Sequence, residues 1–161
     1  MRITPSELPS PEIVCLVDDD PSVLRSTGRL LASDGFTVRP FNNGADFIAY
    51  LASHEVPLVV LDIWMKDMTG LEVLARLCAM SPQTNVIVIT AHEDNAARIT
   101  AMQIGTVAFL IKPFDAEQFL EVVHRALGHP PASSSRKPSL SLPDLVRISQ
   151  RGGVAPARNP A

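Results

Sequence analysis

The chain has 161 residues, of which 46% are hydrophobic and 19% charged, with a formal net charge of −3. That length suits one domain of ordinary size with room for a tail, and that apolar content can bury a real core, which argues against global disorder. The weakly negative balance excludes the strongly basic field that drives nucleic-acid binding.

Residues 1–11 hold Pro5, Pro9 and Pro11 and are expected to form a flexible leader. Ile13-Val14-Cys15-Leu16-Val17 is a short run apolar on both faces, as a buried parallel strand requires, and Asp18-Asp19-Asp20-Pro21 bounds it. Pro21 and Ser22 open a helix to about Ala32, with Val23, Leu24, Leu30 and Leu31 apolar, and Gly35 ends it. Phe36 to Phe41 is a second, weaker strand expected nearer an edge. Asn42-Asn43-Gly44 turns into a helix with Phe47, Ile48 and Leu51. Leu58 to Leu61 is a third strand, ending at Asp62. A helix follows from Gly70 to Met80, stopped by Ser81-Pro82. Val86 to Ile89 is a fourth strand, ending at Thr90. A polar helix spans about Asp94 to Gln103 and stops at Gly105. Val107 to Ile111 is a fifth strand, ending at Lys112-Pro113, and Asp115 to Leu127 is the last helix. Strands alternating with helices predict right-handed parallel βαβ units, an open doubly wound α/β sheet covered on both faces.

Charge divides along the chain. Residues 1–129 hold 9 Lys/Arg and 16 Asp/Glu, whereas residues 130–161 hold 5 Lys/Arg, one acid (Asp144) and six of the 14 prolines. An acidic domain over 12–129 and a basic, Pro/Ser-rich, disordered tail over 130–161 are expected. No apolar run approaches the ~20 residues of a membrane span, and the N-terminus lacks a signal-peptide core. Cys15 and Cys78 form no CxxC pair and are expected to be buried free thiols of a cytoplasmic protein. The methionines are expected in the core, and His54, His124 and His129 on the surface.

The polar residues collect where strands end. Asp18, Asp19, Asp20, Asp62, Thr90 and Lys112 all follow or close a strand, so an open parallel sheet sets them along one carboxyl edge, where ligands bind. Acids facing one another repel, and a hard divalent cation such as Mg²⁺ relieves that repulsion through oxygen ligands. With a carboxylate nucleophile, a lysine and a hydroxyl beside it, the set has the parts needed to accept a phosphoryl group.

Val17-Asp18-Asp19-Asp20, Leu61-Asp62-Ile63-Trp64-Met65, Met68-Thr69-Gly70-Leu71-Glu72, Ile89-Thr90-Ala91 and Ile111-Lys112-Pro113-Phe114, in that order, resemble the CheY-like receiver domain of two-component response regulators over roughly residues 12–128. The likeness is nearest to the subfamily whose fuller members carry a helix-turn-helix output. It implies a flavodoxin-like sheet of five strands in order 2-1-3-4-5 with five helices. It implies that Asp62 takes a phosphoryl group from a sensor histidine kinase or phosphotransfer protein. Asp19 and Asp62 would hold Mg²⁺, with Asp18 direct or through water and the Trp64 backbone carbonyl as a further ligand. Lys112 would pair with Asp62 and then with the phosphate, Thr90 would turn its hydroxyl onto the phosphate, and the Ala91 amide would assist. Phe109 would be the aromatic switch that follows Thr90, although a plain core aromatic reads equally well. The helix 4, strand 5 and helix 5 face would then signal to a downstream protein target, with a phosphorylation-dependent homodimer as one route. Asp20 is read as a helix cap.

Two positions depart from the family pattern. Lys66 stands where proline is usual, and Trp64 is bulky where it can screen the acyl phosphate; with His92 it is expected to set how fast the phosphate is lost. The tail is too short for a three-helix DNA-binding module, so a stand-alone receiver without direct nucleic-acid or membrane contact is expected. It would be no enzyme beyond slow autodephosphorylation. The alternatives are a truncated transcription regulator that dimerises with fuller partners, and an unphosphorylated pseudo-receiver. A haloacid-dehalogenase-type phosphatase is disfavoured, because Trp64 occupies the place of its second acid.

Overall fold

Continuous apolar runs become central strands because both faces of the sheet are covered. The computed structural model describes residues 12–129. In chain order these form β1 (Ile13–Val17), α1 (Pro21–Ser33), β2 (Thr37–Phe41), α2 (Gly44–Leu51), β3 (Leu58–Asp62), α3 (Gly70–Met80), β4 (Asn85–Thr90), α4 (Asn95–Ile104), β5 (Ala108–Ile111) and α5 (Ala116–Ala126). The sheet is all parallel, in the order β2-β1-β3-β4-β5. The leader expected over 1–11 and the tail expected over 130–161 lie outside the described residues.

Register sorts the core into two layers. Leu16, Val60, Ile87 and Ala108 stand side by side across β1, β3, β4 and β5 and pack under α1 and α5 with Leu31, Phe119, Val122 and Val123. The next row, Val17, Leu61, Val88 and Phe109, points the other way and packs with Phe47 of α2, Val73, Leu74 and Leu77 of α3, and Ala97 and Ala101 of α4. This is the period-2 alternation of a strand, with apolar residues needed at both phases. β2 is mostly exposed, as an edge strand should be, and it carries Pro40, which a central strand would exclude.

Helix starts are locally encoded. Asp20 caps α1 by accepting the Ser22 amide, Asn43 caps α2 through Asp46, and Thr69 caps α3 through the Glu72 amide at 3.2 Å. Gly105 ends α4 at φ 139°, a conformation that side chains disfavour.

Several expectations are corrected. Phe36 precedes β2 and plugs the α1/α5 layer. Met80 is exposed, and Cys78 is only half-buried, whereas Cys15 is fully buried and its thiol is pushed up to about 12 by burial. His124 and His129 are half-buried and paired with acids, so they are not free surface groups.

Gly70 matters for position. Its amide donates to the Ile63 carbonyl at 2.8 Å, and a Cβ there would lie 2.3 Å from the Asp62 carbonyl oxygen. The clash is with backbone, which cannot yield without moving the end of β3. Gly70→Ala is expected to lower stability by about 1–3 kcal/mol, read from urea denaturation.

Candidate functional site

The register that builds the core also builds the site. Val17 pairs with Leu61, so the next residues, Asp18 and Asp62, emerge together at the ends of β1 and β3. Asp62 in turn pairs with Ile89, and Thr90 with Ile111, which brings Thr90 and Lys112 to the same edge. Carboxylate oxygens of Asp18, Asp19 and Asp62 all lie within 4.8 Å of one another. Asp18 is 1% and Asp62 5% exposed, so the repulsion between them acts where water screens it poorly.

Each acid has an assigned partner. Asp18 Oδ2 accepts from Lys112 Nζ at 3.1 Å, and its Oδ1 accepts the Asp20 amide at 2.9 Å. The expected pairing of Lys112 was with Asp62; the structure gives the lysine to Asp18, the more deeply buried acid. Asp19 Oδ2 accepts the backbone amide of Lys66 at 3.0 Å. Asp62 accepts the Trp64 amide, yet its carboxyl is raised to about 6, first by burial and then by the charge on Asp18, with Lys112 pulling it down. Asp62 is therefore the least compensated acid of the three.

Around this trio the other expected residues fall into place unevenly. Thr90 is fully buried, its hydroxyl accepts the His92 amide at 3.1 Å, and its carbonyl accepts the Lys112 amide at 2.7 Å. Ala91 follows it and is exposed. Phe109 is buried in the α2/α3/α4 layer rather than at the mouth. Trp64 is 44% exposed and meets His92 edge to face, with ring centroids 6.0 Å apart, so the loops that follow Asp62 and Thr90 touch through these two rings.

Sequence reading missed two contributors. Gly70 lets α3 approach the Asp62 backbone, and Lys66 acts through its amide, not only its cation. A Thr-Gly pair at a helix start hinted at the first; the second had no signal. The donor set itself is suited to a hard cation: three carboxylates converge, all oxygen ligands, with Lys112 paired to one of them.

Fold and site together put the chain among flavodoxin-like α/β proteins that carry an acid cluster at the carboxyl edge of the sheet. It belongs to the response regulator receiver domain family, whose pattern it matches over residues 14–124. Among curated relatives, the DNA-binding transcriptional regulator NtrC of Escherichia coli strain K12 is 39% identical over 117 residues, 73% of this chain and 25% of NtrC. The chain thus spans about a quarter of the length of that relative. A CheY-like receiver domain protein from Methanospirillum hungatei JF-1 superposes with a TM-score of 0.72 at 25% identity, over 74% of this chain and 95% of that one. The beryllofluoride-activated NtrC4 receiver domain dimer superposes with a TM-score of 0.69 at 30% identity, over 72% and 96% of the two chains.

The raised Asp62 carboxyl has a consequence for stability. Well below the usual carboxylate range it is protonated folded or unfolded and carries no penalty; the penalty grows from about pH 4 to about pH 6, where the unfolded chain ionises it and the folded state keeps its proton, and it is constant above that. In metal-free buffer Asp62→Asn is expected to raise stability by about 1–2 kcal/mol at about pH 7.5, allowing for solvent at the mouth, and by almost nothing at about pH 3. Thermal melts of both proteins at both pH values check this.

Proposed function

We propose that this receiver accepts a phosphoryl group on Asp62 from the phosphohistidine of a sensor histidine kinase or phosphotransfer protein, and signals through protein contacts. The observation that carries the reading is the convergence of three carboxylates with Lys112 and Thr90 at one sheet edge. A carboxylate oxygen of Asp62 attacks phosphorus, the P–O bond forms, the P–N bond breaks, and the imidazole leaves. Asp19 and Asp62, with the Trp64 backbone carbonyl, would hold Mg²⁺, and Asp18 would support it from its bonds to Lys112 and the Asp20 amide. Bound there, the ion neutralises charge on the transferring oxygens.

Lys112 reaches the cluster already and needs only a small movement from Asp18 toward a phosphate on Asp62. The Thr90 hydroxyl, whose oxygen accepts the His92 amide, would donate its hydrogen to a phosphate oxygen. Added charge of about −1.5 to −2 at one point then shifts the balance between two arrangements of the α4/β5/α5 face. On that face Ile99 is 45% exposed, an apolar side chain that a protein target or a second receiver would cover. Dimerisation of the phosphorylated form, and with it a role in transcription control through fuller partners, is the second reading. The NtrC relatives and the NtrC4 receiver dimer favour it. Catalysis of its own would be limited to slow loss of the phosphate, retarded by Trp64 and His92 where they cover the mouth.

The test is phosphotransfer with Mg²⁺ from candidate kinases. Wild type is expected to acquire acid-stable, base-labile label, Asp62→Asn none, and Trp64→Ala to lose its label several-fold faster than wild type. Label retained by Asp62→Asn overturns the assignment of the acceptor.

The Lys66 amide separates two roles of one residue. Lys66→Pro removes the N–H that holds Asp19; Lys66→Ala removes only the ammonium group. Mg²⁺ titration followed by emission of Trp64, the single tryptophan, is expected to show several-fold weaker binding in Lys66→Pro and wild-type or slightly tighter binding in Lys66→Ala.

A further inference from the structure

At the opposite ends of the strands a second polar cluster forms. Glu12 precedes β1, Asp34 follows α1, His124 lies in the last turn of α5 and His129 follows that helix. His124 Nε2 lies 2.5 Å from Asp34 Oδ2, and His129 Nε2 lies 2.5 Å from Glu12 Oε1. The two Nδ1 atoms face each other at 2.7 Å. Phe36 flanks both rings, with centroids 5.2 Å from His124 and 6.3 Å from His129.

Hydrogen counting constrains this chain of groups. An ionised carboxylate only accepts, so each Nε2 carries a hydrogen. In a neutral ring each Nδ1 then presents a lone pair, and two lone pairs do not meet at 2.7 Å unless an electrophile lies between them. One shared proton satisfies the pair, which then carries one positive charge against two carboxylates. A divalent cation that prefers imidazole nitrogen satisfies it as well and brings the cluster to neutrality.

We propose that His124 and His129 bind a zinc-class divalent cation through their Nδ1 atoms, with Asp34 and Glu12 orienting the rings from Nε2. Histidine ligands commonly donate their second N–H to a carboxylate, which fixes the tautomer and strengthens the ligand; both rings here are so arranged. On binding, two nitrogen–metal bonds form and the shared proton passes to solvent. Tetrahedral ligands at about 2.0–2.1 Å stand about 3.3 Å apart, so the pair opens by about 0.6 Å. A rotation of the His129 side chain supplies that movement, since its backbone amide is held by the His124 carbonyl at 2.9 Å. Water completes the coordination, because both carboxylates are held on the Nε2 sides of the rings.

Ligand chemistry sorts this site from the acid trio: imidazole suits zinc, and clustered carboxylates suit magnesium. A cation here ties the start of β1, the end of α1 and the end of α5 together, at the point where the chain leaves the receiver. The two sites share no residue, so loss of zinc binding would leave phosphoryl transfer at Asp62 untouched.

The test titrates Zn²⁺ into the full chain in excess Mg²⁺ by calorimetry. Wild type is expected to bind one zinc per chain and to melt at higher temperature with it. His129→Gln is expected to bind at least tenfold more weakly, Asp34→Asn about tenfold more weakly, and Cys78→Ser as wild type does. Circular dichroism of each variant verifies folding. Imidazole nitrogen spectra of wild type provide a measurement that needs no variant, with the Nδ1 signals of two histidines moving and their Nε2–H retained. Absence of a stoichiometric zinc in wild type, unchanged affinity in His129→Gln, or ligation through Nε2 overturns the proposal.

Discussion

Everything distinctive in this molecule follows from setting two buried carboxylates side by side at the edge of an apolar sheet. Asp18 and Asp62 emerge at adjacent strand ends with almost no exposed surface, and Asp19 joins them from the next position. Unpaired, such a group would be intolerable. The structure answers unequally. Lys112 and the Asp20 amide serve Asp18, the Lys66 amide serves Asp19, and Asp62 is left with one backbone donor and a raised carboxyl. The residual deficit at Asp62 is the feature on which the proposed cation and phosphoryl chemistry rests.

The framework around this edge is built to hold it still. Two apolar layers clamp the sheet from opposite faces, and the central strand β3, which ends in Asp62, is buried along its whole length. Gly70 brings the start of α3 onto the Asp62 backbone, so the carboxylate sits at the junction of a rigid strand and a capped helix. Trp64 and His92, in the loops that follow β3 and β4, are exposed and meet edge to face.

The two ends of the sheet carry opposite chemistries. At the carboxyl edge, oxygen donors dominate. At the amino edge, the two imidazoles meet between two carboxylates. The parallel topology causes this separation, because all strand starts share one edge and all strand ends the other.

The sequence by itself determined the alternation of strands and helices, the edge character of β2 and the identity of the acid trio, Thr90 and Lys112. These are local facts: an apolar run stops, a polar residue stands at its end, and parallel topology puts all such ends together. The Asp20 cap was legible for the same reason, as it needs only the Ser22 amide two residues away. Partnerships were not legible. Lys112 meets Asp18 across 94 residues, the Lys66 amide meets Asp19 across 47, and His129 meets Glu12 across 117. Gly70 belongs with them, because a missing side chain announces nothing until a backbone lies against it. Such contacts depend on strand register and on the course of loops, which no local pattern carries, and only the tertiary structure decides them.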